Sequence, residues 1–235
     1  MAEHNHAEAH LDEKHIGRPP ASALIRKALT QSRVLGVRII GHPGAGKTEL
    51  IEATLKRVPA PQRVGVVVVN PAAGRDAERL AKYCGFVTHI NAAVPDPGLI
   101  WKAISEMKLS DFDTLLIEGA GGLAPLHDLG QDATVAAFSV SGGDDKAAEY
   151  HTLLQSATVV VLTKVDLRHL VKFDAEVFRK DVKAINPTAD VHEVSAMTGF
   201  GMPEWLGCLA LMRASKARSR AINEGREWTS DRFIG

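Results

Sequence analysis

The chain of 235 residues has little cysteine, no excess of either charge and no long apolar run. Its two cysteines, Cys84 and Cys208, are too few for a disulfide framework, so we expect a soluble protein of the reducing cytoplasm. Because 28 basic side chains balance 28 acidic ones, we do not expect nucleic acid as the main partner. Apolar runs such as residues 64–69 are too short to span a bilayer, and the acidic N-terminus is unlike a signal peptide, so no membrane partner is expected.

Short apolar segments alternate with amphipathic segments along most of the chain, and this alternation predicts an α/β fold. The predicted strands cover residues 35–40, 64–69, 86–90, 114–117, 134–140, 158–163 and 190–194. The predicted helices lie near residues 47–57, 75–84, 98–108, 146–155, 174–185 and 203–216. Several strands are continuously apolar, which is typical of parallel strands covered on both faces. We therefore predict a doubly wound, mostly parallel sheet with helices on both faces.

A glycine-rich loop, GHPGAGKT at residues 41–48, lies between a predicted strand and a predicted helix. It fits the phosphate-loop pattern G-x-x-x-x-G-K-[ST] in the context that this pattern requires, which argues against a chance match in a Gly-rich turn. Backbone N–H groups and the helix start would hold phosphates, while Lys47 reaches the outer phosphates and Thr48 ligates Mg²⁺. The predicted nucleotide-binding residues of the loop are Gly41, Gly44, Ala45, Gly46, Lys47, Thr48 and Glu49.

Two later motifs predict that the bound base is guanine. TKVD at residues 163–166 resembles the guanine-specificity motif of GTPases, because the Asp166 carboxylate can accept from both N1–H and the N2 amine of guanine. The sequence VSAMTGFG from residue 194 resembles the loop whose Ser-Ala backbone approaches guanine O6. TKVD alone could be a surface Lys–Asp pair, but both motifs in this order favour GTP over an ATP-dependent kinase or ligase. The predicted base-binding residues are Thr163, Lys164, Asp166, Ser195 and Ala196.

Two acidic residues are candidates for Mg²⁺ binding and, with Lys47, for catalysis. Glu118 follows an apolar strand in LLIEGAGG, where it can hold Mg²⁺ through water or orient the attacking water, with Gly121 near the γ-phosphate. Asp76 in GRDAERL is a candidate switch residue that senses the γ-phosphate through Mg²⁺. The alternatives are a solvated strand end for Glu118 and, for Asp76, a first-turn acid that stabilises a helix N-terminus.

Taken together, these stretches resemble the HypB/UreG family of nickel-insertion GTPases over about residues 36–209, and SVSGGDDK and the stretch ending in SAMTGFGMPEWL are similar to its hydrogenase branch. The resemblance implies a P-loop GTPase domain, expected over residues 20–212, that forms a GTP-dependent homodimer and hydrolyses GTP slowly. It also implies that the protein hands a metal to a client metalloenzyme or works with a companion metallochaperone. The resemblance gives Asp76 its Mg²⁺ and switch role, and it places Lys146 where it can reach the nucleotide of the neighbouring subunit.

The family's interfacial metal ligands are missing from this chain. Asp96 and Pro97 stand where the resemblance implies Cys and His, and proline cannot ligate a metal. One replacement pairs His127 with Asp96 across a dimer, although a loop histidine bonded to the backbone is the alternative. Another is the His-containing tail expected over residues 1–19, which could hold Ni²⁺ or Zn²⁺ or could simply be solvated. Its candidate ligands are His4, His6, His10 and His15.

Two functions therefore stay open at this point. The first is a GTPase metallochaperone that assists nickel insertion into a hydrogenase or related nickel enzyme, with GTP and Mg²⁺ as cofactors. The second is a metal-free regulatory GTPase that gates assembly of a partner metalloenzyme complex. The basic segment over residues 213–235 is expected to be a C-terminal tail without an assigned role, which can continue the last helix before it frays.

Overall fold

The computed structural model describes residues 19–59, 62–70, 74–119 and 127–230, with side chains described as far as residue 222. In these residues seven strands form one parallel sheet in the order β3-β2-β4-β1-β5-β6-β7. The strands are β1 (Leu35–Gly41), β2 (Val64–Val69), β3 (Val87–Ile90), β4 (Thr114–Gly119), β5 (Ala133–Ser139), β6 (Val159–Thr163) and β7 (Asp190–Glu193). The three central strands β4, β1 and β5 are buried at every residue, which explains why their sequences are mainly apolar.

Helices cover both faces of the sheet, as predicted. They are α1 (Ala21–Gln31), α2 (Lys47–Leu55), α3 (Gly74–Leu80), α4 (Pro97–Ser105), α5 (Lys146–Glu149), α6 (His151–Gln155), α7 (Ala175–Ile185) and α8 (Met202–Ser230). Consecutive residues of β1 pack against opposite faces of the sheet. Ile39 lies in the core shared with α2 and α8, and Ile40 lies in the core shared with α6 and α7. A third core joins α1 and α4 to β2 and β4. The predicted doubly wound α/β fold is confirmed.

Two helices differ from the sequence prediction. The helix predicted near residues 146–155 is divided at Tyr150 into the short helices α5 and α6. The last helix continues from Met202 to Ser230, so the expected border between domain and tail, at residues 212 and 213, lies inside α8. Residues 213–222 contain alanine, arginine and lysine and neither glycine nor proline, so they favour continuation of the helix. In the described part of the chain, no helix combines the length and apolarity needed to cross a membrane.

The order of the strands determines where a ligand can bind. From β1 the chain moves to β2 on one side of the sheet, and later to β5 on the other side. Open α/β sheets bind ligands at the carboxyl ends of the strands, where the strand order reverses. The glycine-rich loop that follows β1 lies at this point.

Candidate nucleotide-binding site

The glycine-rich loop has a backbone that other residues would strain. Gly44 and Gly46 adopt left-handed φ angles of 77° and 76°, and a Cβ atom on Gly41 would lie 2.3 Å from the Ala137 carbonyl oxygen. Gly46 is also the N-cap of α2, so the free N–H groups of this helix face the space enclosed by the loop. This combination of curled loop and helix N-terminus suits a phosphate group.

A cavity of about 430 Å³ opens in front of the loop and collects most of the predicted catalytic residues. It lies between the N-terminus of α2, the start of α3 and the ends of β2 and β4. Gly44, Gly46, Lys47, Thr48, Asp76 and Glu118 all line it. Residues that are up to 74 positions apart in the sequence therefore face one space, at the edge of the sheet where ligands are expected.

Thr48 and Glu118 form a buried pair at the back of this cavity. The Thr48 hydroxyl donates a hydrogen bond of 2.7 Å to Glu118 Oε1, and Glu118 is only 6% exposed. Its second oxygen, Oε2, has no hydrogen-bond partner among the described residues. Burial raises the pKa of Glu118, and the hydrogen bond from Thr48 and the charge of Lys47 oppose that rise. A buried hydroxyl–carboxylate pair with an unsatisfied oxygen fits Mg²⁺, which prefers oxygen ligands and bound water.

Two lysines stabilise the loop from inside. The Lys47 ammonium donates to the Gly41 and His42 carbonyl oxygens at 3.0 and 3.2 Å, and burial lowers its pKa while the nearby Glu118 and Glu49 charges raise it. The Lys164 ammonium donates to the Gly44 carbonyl oxygen at 2.8 Å. Two positive charges therefore face the loop in which phosphates would lie.

Asp76 lies in the first turn of α3 and reaches the same cavity. Its carboxylate is 3.6 Å from the Arg79 guanidinium, which also contacts Glu52 at 2.8 Å. This geometry is compatible with both interpretations of Asp76, as a first-turn acid and as a switch residue. Its role toward Mg²⁺ stays a prediction.

A second cavity, of about 270 Å³, adjoins the first and contains the residues predicted to bind the base. Thr163, Lys164, Asp166 and Ala196 line it, together with the exposed Met197, and it shares Gly46 and Glu49 with the phosphate cavity. The Thr163 hydroxyl donates to the Ala45 and Phe138 carbonyl oxygens, at 2.8 and 3.0 Å, and so joins the base cavity to the phosphate loop.

Ser195 contributes to the shape of this cavity only through the backbone of its loop. Its side chain is fully buried, and its hydroxyl accepts a hydrogen bond of 3.1 Å from the Thr198 N–H. Its own N–H donates to the Phe200 carbonyl oxygen at 2.9 Å. These contacts shape the loop that presents Ala196 to the cavity.

One residue of the loop was missed by sequence reasoning. His42 is 5% exposed, its Nδ1 lies 2.7 Å from the Pro43 carbonyl oxygen, and its Nε2 has no partner among the described residues. Burial lowers its pKa, and the charges of Lys47, Lys146 and Lys164 lower it further. The motif treats this position as variable, so only the unusual presence of a titratable ring in a phosphate loop could have drawn attention to it.

The residues predicted for the dimer and for a transferred metal are engaged within the chain. Lys146 forms an ion pair with Glu149. Asp96 is the N-cap of α4, where its Oδ1 accepts from the N–H groups of Gly98 and Leu99 at 2.8 and 3.1 Å. Proline at the next position is favourable at a helix start, so Asp96 and Pro97 have a structural role here.

His127 is exposed, and its carbonyl oxygen accepts a hydrogen bond of 2.7 Å from Arg38. Within the described ranges, no three His, Cys, Asp or Glu side chains form a group that could hold a metal ion. A site that pairs His127 with Asp96 across a dimer stays a prediction. Gly121 and the predicted tail ligands, His4, His6, His10 and His15, lie outside the described residues.

Comparison with known proteins agrees with a nucleotide-binding site at this position. Residues 36–193 match the family described as CobW/HypB/UreG, nucleotide-binding domain. A crystal structure of hydrogenase maturation factor HypB from Archaeoglobus fulgidus has 32% identical residues and a TM-score of 0.75, and the match covers 82% of this chain and 97% of that one. A structure of HypB from Helicobacter pylori in complex with nickel has the same fold, with 24% identity, a TM-score of 0.77 and coverage of 83% and 94%.

Curated relatives are longer than the matching region. Hydrogenase maturation factor HypB from Azotobacter chroococcum mcd 1 is 29% identical over 189 residues, which are 78% of this chain and 62% of that protein. More than a third of that relative therefore has no counterpart in the match.

Proposed function

Since the chain belongs to the CobW/HypB/UreG family, we propose that it is a GTPase that assists nickel insertion into a hydrogenase or a related nickel enzyme. The observation that carries the GTPase part is the buried Thr48–Glu118 pair, which faces a phosphate-sized cavity with one carboxylate oxygen unsatisfied. The maturation part is supported by relatives named hydrogenase maturation factor HypB.

In this proposal the phosphates of GTP lie against the N–H groups of the loop and of the α2 N-terminus. Lys47 leaves the carbonyl oxygens of its own loop and neutralises charge that develops on the γ-phosphate. Thr48 and Glu118 would hold Mg²⁺, with Asp76 nearby, and the ion would supply further charge neutralisation on the phosphates. Alternatively, Glu118 would accept a hydrogen bond from the attacking water through Oε2 and so orient it.

The base cavity would make this reaction specific for GTP. The Asp166 carboxylate accepts from the N1–H and N2 amine of guanine, while Lys164 braces the phosphate loop. The backbone at Ser195 and Ala196 approaches guanine O6. Adenine lacks the two donors and would leave Asp166 unpaired, which disfavours ATP.

We expect slow turnover that is coupled to dimerisation. No arginine lines the phosphate cavity in the part of the chain that the structure describes, so an arginine is not available there to stabilise the transition state. GTP would favour a homodimer in which Lys146 exchanges Glu149 for the nucleotide of the neighbouring subunit. Hydrolysis would then reopen the dimer and release the client protein.

The metal part of the proposal has two versions. A nickel complex of a HypB with the same fold supports transfer of nickel, with ligands from His127 and Asp96 across the dimer or from the N-terminal histidines. The use of Asp96 and Pro97 as a helix start favours the second candidate, a metal-free GTPase that gates assembly of a metalloenzyme complex.

Calorimetry separates the two versions. Ni²⁺ and Zn²⁺ are titrated into the full chain with GDP or with a non-hydrolysable GTP analogue, and into a variant that lacks residues 1–16. A nucleotide-dependent site that survives the deletion supports metal transfer through the dimer interface. Binding that is lost with the deletion places the metal on the N-terminal histidines. Absence of binding in both proteins overturns the metallochaperone version and leaves the metal-free GTPase.

A further inference from the structure

A groove runs along α8 at the end of the sheet opposite the nucleotide site. One cavity, of about 340 Å³, lies between α8, the end of α2 and the first residues of β2 and β4. A second cavity, of about 280 Å³, lies between α8 and the end of α1. Arg213 lines both cavities, so they lie next to each other along α8 from Pro203 to Ala221, and we call the two together the α8 groove. At 1.5 Å per residue, its length is about 27 Å.

The helix that forms the groove is firmly attached to the domain. Near its start, the buried Trp205 donates from its indole nitrogen to the Thr54 hydroxyl at 2.9 Å. Further along, the Lys216 ammonium donates to the Val34 carbonyl oxygen and to Asp132, both at 2.6 Å. The groove is therefore a feature of a fixed helix.

Gly207 lines the first cavity of the groove. It lies inside α8, where glycine weakens a helix relative to alanine, and a Cβ atom added there would meet nothing within 4 Å. Packing within the described chain therefore gives no reason for a glycine at this position. The exposed alanines at 210, 217 and 221 also line the groove, so a partner can approach the helix backbone closely.

Among the residues whose side chains the structure describes, the ionised side chains that line the groove are all basic. Arg57 and Arg213 line the first cavity, Arg33, Lys216 and Arg220 line the second, and no described Asp or Glu lines either of them. The walls of the first cavity include apolar side chains such as Leu206 and Leu209. The groove therefore offers apolar depressions next to positive charge, which suits an occupant with apolar and acidic side chains side by side.

We propose that the α8 groove binds an acidic amphipathic helix of a partner protein. Apolar side chains of that helix would fill the two cavities, and its carboxylates would pair with Arg57, Arg213 and Arg33. About five helical turns match the length of the groove. A second copy of α8 does not fit, because Arg213 would then lie opposite the arginines of the second copy, which carry the same charge. Among the described side chains, none that lines either cavity is aromatic, so none offers a face on which nucleic-acid bases could stack.

The test uses a synthetic helical peptide of about 18 residues, with leucine at the a and d positions of the heptad and glutamate beside them. A fluorescent label on the peptide reports binding to the full chain through anisotropy. A second peptide with lysine in place of glutamate is the charge-reversed control. We expect binding of the acidic peptide and no binding of the basic one.

Variants of the full chain distinguish the groove from general attraction of charge. Gly207→Leu fills the first cavity without changing charge, and Arg213→Glu reverses the charge shared by both cavities. We expect each to weaken binding by about tenfold or more. Gly207→Ala adds only one methyl group and should cause a smaller loss than Gly207→Leu. Lys102→Glu, on the exposed face of α4, is the charge control and should change affinity by no more than about twofold.

Several outcomes would overturn the proposal, and none depends on GTP hydrolysis. Equal binding of the two peptides, or binding that Gly207→Leu leaves unchanged, removes the groove as the site. Tighter binding of a single-stranded RNA that responds to Arg213→Glu but not to Gly207→Leu would replace the acidic helix with nucleic acid. Melting curves of the variants verify folding, and Arg213→Glu keeps the test valid if Gly207→Leu does not fold.

Discussion

The phosphate cavity and the N-terminus of α4 each contain an acidic side chain, Glu118 and Asp96 respectively, but the two carboxylates differ in burial and in hydrogen bonding. Glu118 is buried with one carboxylate oxygen unsatisfied, and it faces open space beside Lys47. Asp96 is exposed, and its Oδ1 accepts from two backbone N–H groups of its own helix. The difference teaches that an unsatisfied buried group indicates a ligand, whereas a group satisfied by its own backbone indicates a structural role.

The largest effect is expected from removing the charge of Glu118. In Glu118→Gln the amide oxygen can still accept from Thr48, but the negative charge that favours Mg²⁺ is lost. We expect kcat for GTP hydrolysis to fall by about 100-fold, with a smaller change in GTP affinity. Phosphate-release kinetics and nucleotide titrations measure the two quantities. The matched change Asp96→Asn should leave kcat unaltered, and similar losses in both variants would contradict the contrast between the two regions.

A second large effect is expected for the choice of base. Asp166→Asn removes the carboxylate that accepts from both guanine donors, so the preference for GTP over ATP should fall by about 100-fold. Competition of GTP and ATP for a fluorescent nucleotide measures it. Asp174→Asn is the control, because Asp174 caps α7 through the N–H groups of Glu176 and Val177. An unchanged preference in Asp166→Asn would remove guanine from the proposed function.

A smaller effect, on stability alone, is expected from Asp96. Replacing it with alanine removes the acceptor for the N–H groups of Gly98 and Leu99, and it should lower the free energy of unfolding by about 1 kcal/mol. Urea denaturation measures this loss, and GTP hydrolysis by the folded variant should be unaltered. If Asp96→Ala instead abolishes nucleotide-dependent Ni²⁺ binding, Asp96 belongs to a metal site after all.

The smallest effect concerns His42 and pH. Burial and the charges of Lys47, Lys146 and Lys164 hold the pKa of His42 in the folded protein below its usual value. As the pH falls below about 6.5, the unfolded chain therefore takes up this proton more readily than the folded one, and stability decreases until the folded pKa is reached. His42→Asn should show a smaller loss of stability between about pH 7.5 and pH 5.5 in urea denaturation.

The exposed His151 is the control for this measurement. His151→Asn should keep the pH dependence of the unmodified protein, since its ring is not enclosed by the phosphate loop. Equal pH profiles for His42→Asn and the unmodified protein would show that the proton uptake involves other groups.

The fold was predictable from the sequence because its signals are local. Continuously apolar strands and the intervening amphipathic helices predicted the parallel sheet, and the structure confirms it. The helix near residues 146–155 was less well predicted. Its division at Tyr150 depends on tertiary packing, which the hydrophobic periodicity of the sequence does not reveal. The last helix was predicted over residues 203–216 with a tail able to continue it, and α8 does continue to Ser230, because the residues after 216 include further helix-favouring alanine and arginine.

The candidate site was predictable where a motif specifies backbone and side chains together. Gly44, Gly46, Lys47 and Thr48 belong to one contiguous pattern, and the structure places them as that pattern requires. His42 could not be predicted, since its burial and its unsatisfied Nε2 depend on segments that are distant in sequence. The metal ligands could not be assigned either, because the resemblance marked only where the family's ligands are missing.

The sequence by itself determined which functional motifs the chain contains and their order along it. These are a phosphate loop, two acidic candidates and two base-binding motifs, all on a parallel sheet. The sequence could do so because turn geometry, helix starts and strand burial depend on neighbouring residues. Only the tertiary structure decided that Glu118 is left with an unsatisfied oxygen while Asp96 is a helix cap, and that α8 borders a basic groove. Whether a polar group has a hydrogen-bond partner, whether it is buried and whether a cavity lies beside it depend on which distant segments meet. That information is absent from local sequence.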